Sequence, residues 1–212
     1  MSDEIVFYTN PMSRGRVVRW MLEEVGQPYE TVLLDFAGQT KTPQYLAINP
    51  MGKVPAITHG GTVVTECGAI CAYLADAFPQ AGLAPPSGSR LRGAYYRWLF
   101  FSAGPIEQAI SMFALQVEVP TERQIMVGYG TMQAVLDAIE GAVNDREFLV
   151  GDSFTAADLY VGAHLGWGMS FDAIEKRPVF EAYVARLRAR SAAIRAAAID
   201  DALMPAPPAP AG

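Results

Sequence analysis

The chain has 212 residues, 51% of them apolar, and carries 16 Lys and Arg against 22 Asp and Glu, for a formal net charge of −6. That length and apolar content suit one large or two small domains with real cores, and the acidic balance excludes a nucleic-acid partner, which needs clustered Lys and Arg. With two cysteines, no secretory pattern and no apolar run long enough to span a bilayer, the expected setting is reduced and cytoplasmic, with no membrane partner.

In chain order, Glu4 to Thr9 reads as a strand and Asn10-Pro11-Met12 as the loop leaving it. Ser13 is placed to cap a helix running to Val25, with Val17, Trp20, Met21, Leu22 and Val25 on its apolar face and Gly26 ending it. Tyr29 to Leu34 reads as a second strand, followed by an irregular stretch with a short helix near Pro43 to Ala47. The Val54-Pro55 step then enters a short apolar strand, Ala56-Ile57-Thr58. Because proline removes a ladder donor, Val54 is expected at an edge, its own N–H and C=O free to pair with an extended peptide. Gly60-Gly61 supplies a two-residue turn into Thr62-Val63-Val64-Thr65, and Glu66 and Cys67 open a helix toward Phe78. The order βαβ then ββα predicts one sheet with helices packed on it.

Pro79 to Ser89, rich in Pro, Gly, Ala and Ser, reads as a linker, and no convincing strand follows it. Arg90 to Ser111 carries Leu91, Tyr95, Trp98, Leu99 and Ser102 at helical intervals, and Ile125, Tyr129, Met132, Leu136, Ile139 and Val143 recur at three and four. Thr155-Ala156-Ala157-Asp158 has the form of a capping box, with Asp in place of Glu, ahead of the apolar run Leu159 to Leu165. Pro178 starts a last helix with Phe180, Tyr183, Val184 and Leu187 inward. Arg186, Arg188, Arg190 and Arg195, in Ala-rich sequence, predict a solvated face. The expected divisions are an α/β domain over 1–80, an all-α domain over 90–203 and a flexible Pro/Ala tail over 204–212.

The run Asn49-Pro50-Met51-Gly52-Lys53-Val54-Pro55-Ala56, with Thr65-Glu66-Cys67-Gly68-Ala69-Ile70 close behind it, resembles the glutathione-binding core of the cytosolic glutathione transferases. The likeness runs from residue 4 to 190 or thereabouts and is most specific over 49–78. It implies a thioredoxin-like first domain, a cis Val54–Pro55 bond, glutathione as co-substrate, and a homodimer. It also implies contacts to the peptide from the Lys53 side chain and the Val54 backbone. The residues support this independently. A helix start presents unpaired N–H groups and a positive dipole end, which favour a carboxylate, and Glu66 suits an ammonium; the γ-glutamyl end of glutathione has both. Cys67 departs from the family, which most often has Ser there. A thiol is a poorer donor, so the Cys67 backbone N–H is expected to carry the carboxylate contact. The helix start favours a thiolate at Cys67 while Glu66 opposes it. Lys41 suits a solvated loop or, alternatively, the glycyl carboxylate.

The chemistry expected of such a protein is thiol activation. A free thiol with pKa ~8.5 is mostly protonated at neutral pH, and a hydroxyl aimed at the sulfur can stabilise the thiolate that attacks an electrophile. Depending on class, the family uses Tyr, Ser or Cys just after the first strand. Here Tyr8, Thr9, Asn10 and Ser13 are in range; Ser13 is the first choice, with Tyr8 and Asn10 as alternatives. Trp98, Phe101, Ser102, Pro105, Met112 and Trp167 suit either an electrophile pocket or core. The expected activity is conjugation of glutathione to hydrophobic electrophiles. The alternatives are a glutathione-dependent isomerase, dehalogenase or peroxide/disulfide reductase, or a non-catalytic binding module. No metal is expected, since Cys67 and Cys71 have no second Cys or His pair at ligand spacing; His59 reads as a surface and His164 as a core histidine.

Overall fold

A computed structural model describes residues 4–204, so the expected Pro/Ala tail lies, beyond Met204, outside the described residues. The chain forms two compact units, one of residues up to Ile70 together with the stretch from Ser191, the other of Cys71–Arg190. The first unit holds β1 (Ile5–Thr9), α1 (Gly15–Val25), β2 (Tyr29–Leu33), the short α2 (Pro43–Leu46), β3 (Ala56–His59) and β4 (Thr62–Thr65), and α3 (Cys67–Ala77) begins in it. The strands order as β2-β1-β3-β4, with β2 parallel to β1, β3 antiparallel to β1, and β4 antiparallel to β3. Alternate residues of β1 point inward, so Ile5, Phe7 and Thr9 are buried while Val6 and Tyr8 are half-buried, the period-two pattern of a strand with one core face. Ile57 joins them from β3, and Val18, Met21 and Leu22 of α1 are wholly buried. Gly60 and Gly61 both have positive φ and leave His59 paired with Thr62, the geometry that a two-residue primed turn demands. Gly26 ends α1 in a left-handed conformation, its N–H on the Leu22 carbonyl.

The helix begun by Pro178, expected to be the last, is followed by another. α9 (Ser191–Ala202) packs on α1; its run of alanines leaves little apolar periodicity to read. Ala192, Ala193 and Ala196 are buried on its inner face, and three ion pairs join it to α1. Arg19 of α1, wholly buried, reaches Asp200 of α9 at 3.2 Å and stacks over the Phe7 ring, with its guanidinium also donating to Thr31 and Tyr29. Arg16 pairs with Asp201 at 2.8 Å and Arg195 with Glu23 at 2.9 Å. Burial pushes the Asp200 carboxyl above its ordinary range despite Arg19 beside it. Arg195 stays largely in solvent, its side chain 52% exposed, as the solvated face predicts, while its guanidinium also reaches Glu23 of α1.

The second unit is helical, with α4 (Leu91–Phe101), α5 (Glu107–Ala114), α6 (Met132–Val143), α7 (Ala156–Ser170) and α8 (Pro178–Arg188). With the mixed sheet before it, this is the α/β-then-all-α architecture expected. The stretch Arg90 to Ser111, read as one helix, is interrupted by a π-helical turn over Ser102–Ile106 that contains Pro105. Proline lacks an N–H and crowds the preceding turn, which a wider turn relieves. The helix expected from Ile125 starts later: Ile125 is 94% exposed in a 3-10 turn over Thr121–Met126, and α6 opens with Thr131 accepting the Ala134 N–H. The segment read as a linker is packed, since Leu83 is buried and its carbonyl accepts the Ala156 N–H at 2.8 Å.

α7 is apolar all round and buried along most of its length, as a central helix should be. Its capping box forms with Thr155 and Asp158. Asp158 does more than cap. Its carboxylate accepts the Leu149 N–H at 2.7 Å and the Tyr183 hydroxyl at 2.8 Å, tying α7 to α8 and to the segment before it. Burial nevertheless leaves its carboxyl above the ordinary range. His164 is the core histidine expected, between the Tyr160 carbonyl at Nδ1 and Glu107 at Nε2.

Candidate functional site

The turn before β3 is held by two buried side chains. Asn49 and Tyr45 are both buried, and both donate to the Lys53 carbonyl, at 2.8 and 2.6 Å. Asn49 also accepts the Met51 N–H at 3.1 Å, so one amide closes both sides of the loop. Burial pushes the Tyr45 phenol up to about 12. The Val54–Pro55 bond is cis, and Pro55 is buried while Val54 is half-buried. The strand that Pro55 enters is not the edge expected, since β3 lies between β1 and β4, but neither the N–H nor the C=O of Val54, just ahead of it, is hydrogen-bonded among the described residues. Lys53 is exposed. The Lys41 ammonium donates to the Met51 carbonyl at 2.8 Å and braces this loop.

The loop after β1 is equally ordered. Asn10 donates from its side chain to the Leu34 carbonyl at 2.8 Å and accepts the Met12 N–H, which commits its amide to loop structure. Ser13 lies just outside α1, with Arg14 at the cap position. Its hydroxyl donates to the Asn10 carbonyl at 2.7 Å and accepts the Gly15 N–H at 2.9 Å, so it still satisfies a helix-start donor one residue earlier than expected. Tyr8, on β1, pairs with Ala56 next to Pro55 and lays its ring 5.8 Å from that of Tyr45. Thr9, the fourth residue in range, turns its hydroxyl into the interior, where it has no hydrogen-bond partner among the described residues.

Glu66 connects β4 to α3 and has φ of 68°, a left-handed backbone rarely held by a residue with a side chain. Such strain persists only where the surroundings impose it, and it concentrates at functional positions. Glu66 is exposed, and its carbonyl accepts the Ile70 N–H at 2.9 Å, the bond that starts α3. The first N–H groups of that helix have no partner within it. Cys67, buried, donates its thiol to the Arg14 carbonyl at 3.6 Å, so the head of α3 adjoins the loop that carries Ser13. A peptide edge, a helix head with an exposed carboxylate, and a hydroxyl at a second helix start therefore lie in one compact unit. The set suits a small peptide bearing a carboxylate and an ammonium at one end. Of the residues named as pocket or core, Trp98 and Ser102 are buried in the helical unit, and Trp167 is 41% exposed.

Tyr45 and Asn49 are the participants missed in the sequence. Asn49 stood within the recognised run, but nothing in its spacing indicates that its amide reaches forward to residue 53. The signal for Tyr45 was a lone aromatic in a short helix, which reads as core.

Comparison with known proteins converges on one family. The model of the glutathione S-transferase N-terminal domain matches residues 4–76, and that of the C-terminal domain residues 104–191. The glutathione S-transferase GstA of Escherichia coli O157:H7 is 30% identical over 149 residues, which cover 69% of this chain and 73% of that protein. A glutathione transferase from Methylococcus capsulatus superposes with a TM-score of 0.78 at 31% identity, over 93% of this chain and 99% of its own. A sphingomonad glutathione S-transferase, solved in complex with glutathione, superposes with a TM-score of 0.76 at 28% identity, over 92% of this chain and 98% of its own.

Proposed function

This chain belongs to the glutathione S-transferase family and is an enzyme of that kind, and from that premise we propose that it activates glutathione as a thiolate and conjugates it to hydrophobic electrophiles. Glutathione binding by the sphingomonad relative supports the choice of peptide. The observation that carries the site assignment is the left-handed Glu66 at the head of α3, beside the Ser13 loop through the Cys67–Arg14 contact. In this reading the γ-glutamyl carboxylate takes the Cys67 N–H and its neighbours, with the helix dipole behind them. Glu66 takes the ammonium, the Val54 backbone pairs with the cysteinyl residue, and Pro55 shapes that edge. Lys53 serves the peptide through its side chain.

Ser13 is the activating donor in this reading. The Gly15 N–H on its oxygen makes the hydroxyl a better donor, and a turn about the Cβ–Oγ bond re-aims the proton from the Asn10 carbonyl to a sulfur. Asn10 stands further from the role, since its amide is occupied by the loop, and Tyr8 is the alternative donor. A homodimer in the cytoplasm completes the proposal. Exposed Phe113, Leu115, Ile125 and Met126 provide apolar surface for a partner copy, and the two cysteines are free thiols. The test is calorimetric titration with glutathione, then a conjugation assay with an aryl halide and other electrophile classes. Binding followed by turnover is expected. Binding with no turnover across the electrophile classes would replace the enzyme mechanism with a binding module, and no binding would remove the site assignment.

A further inference from the structure

The Lys53 carbonyl takes two hydrogen bonds from buried side chains, an uncommon investment in one loop oxygen. Tyr45 and Asn49 each have only 3% of their surface exposed, and they approach that oxygen from α2 and from the loop after it. The consequence is stereochemical. The Lys53–Val54 bond is not among the cis bonds, so its C=O and N–H lie in one plane and point in opposite directions. Drawing the oxygen inward toward Tyr45 and Asn49 therefore turns the Val54 N–H outward, and that N–H has no partner among the described residues. With one donor the peptide plane could rock about its flanking dihedrals; with two donors it is held.

We infer that Tyr45 and Asn49 are positioning residues for peptide binding, which hold the Lys53–Val54 plane so that the Val54 N–H faces the incoming peptide. The inference rests on the glutathione site proposed above. Neither side chain touches the ligand in this account. Their contribution is to pay in the folded chain the ordering cost that binding would otherwise meet. The phenol keeps its proton at working pH, well below even an ordinary phenol's pKa of about 10.

The experiment compares wild type with Tyr45→Phe, which removes one donor and keeps the ring against Tyr8, and with Asn49→Ala. Glutathione affinity is measured by calorimetry, and kcat and KM with an aryl halide. Tyr45→Phe should weaken glutathione binding about three- to tenfold, the scale of one neutral hydrogen bond. It should raise the KM for glutathione in parallel while leaving kcat and the KM for the halide as they were. A purely structural role would lower the melting midpoint without that split. Asn49→Ala should act in the same direction and more strongly; should it fail to fold, Tyr45→Phe alone decides. Wild-type binding with unchanged affinity in Tyr45→Phe overturns the positioning role and leaves the site standing. No binding by wild type overturns both.

Discussion

Glu66 concentrates a local cost and a proposed function in one residue. Its left-handed backbone is a position where glycine would be at ease. Glu66→Gly is therefore expected to keep or raise the melting midpoint while losing glutathione affinity, whereas Glu66→Gln keeps the strain and removes the charge. The second change should weaken binding by about 1.5–3 kcal/mol, the range for a charge-assisted hydrogen bond. Calorimetry beside thermal melts reads both, and unchanged affinity in Glu66→Gln would take the carboxylate out of the site. Ser13 is tested differently. Ser13→Ala should raise the pKa of the bound glutathione thiol by about one to two pH units, at about 1.4 kcal/mol for each, with little change in affinity. Tyr8→Phe should be nearly silent. The ultraviolet absorbance of the thiolate against pH separates them, and a shift confined to Tyr8→Phe would move the role to the phenol. Because Ser13 also accepts the Gly15 N–H, its removal should cost about 1 kcal/mol of stability. At this scale residue types in the 49–70 stretch were legible. The hydrogen bonds that decide what each side chain is free to do were not, since they join residues whose nearness depends on the folded loop.

Among the elements, α9 was the least visible in the sequence, and it carries a buried ion pair. Asp200 is buried against Arg19, and its folded pKa lies above the ordinary carboxylate range because burial outweighs the guanidinium. A folded state that holds a proton more tightly than the unfolded state gains stability as pH falls from that raised value toward about 3.9. It loses that gain as pH rises. Asp200→Asn removes the titration, so the stability of the variant relative to wild type should improve from acidic to neutral pH. Melting midpoints of both proteins across that interval check the sign; a relative decline would show that the Arg19 attraction outweighs burial. Asp158 is also raised by burial, but its carboxylate is joined to Leu149, Thr155 and Tyr183 rather than to a cation. Asp158→Ala should cost about 3 kcal/mol or more by leaving buried donors unsatisfied, measured as a lower denaturant midpoint. The capping box around it could be read because it is local, four residues long. The Tyr183 bond could not, since it joins two helices.

For the molecule as a whole, the proposal of a two-fold assembly follows from family membership and from the apolar side chains left at the surface. Met51 is 67% exposed and Val63 46% in the first unit, and Phe113, Leu115, Ile125 and Met126 are exposed in the second. Sedimentation velocity at micromolar protein should give a species of twice the 22.9 kDa chain mass. A single boundary at the monomer mass would dispose of the homodimer.

What the sequence determined by itself was local or periodic: the strand over Glu4 to Thr9, the Gly60-Gly61 turn, the Thr155 capping box, Pro178 at a helix start, and the Asn49-to-Ile70 signature that carries the family. These are set by φ preferences, missing donors and the spacing of apolar side chains over a few residues. Tertiary structure alone decided that Ile125 faces solvent, that the chain around Leu83 is packed, and that an alanine-rich helix returns to α1 through buried Arg19 and Asp200. It also decided that Tyr45 and Asn49 share one carbonyl. Apart from Ile125, which makes no such contact, the outcome depends on a contact between residues that the folded chain brings together, and such a contact leaves no period in the chain.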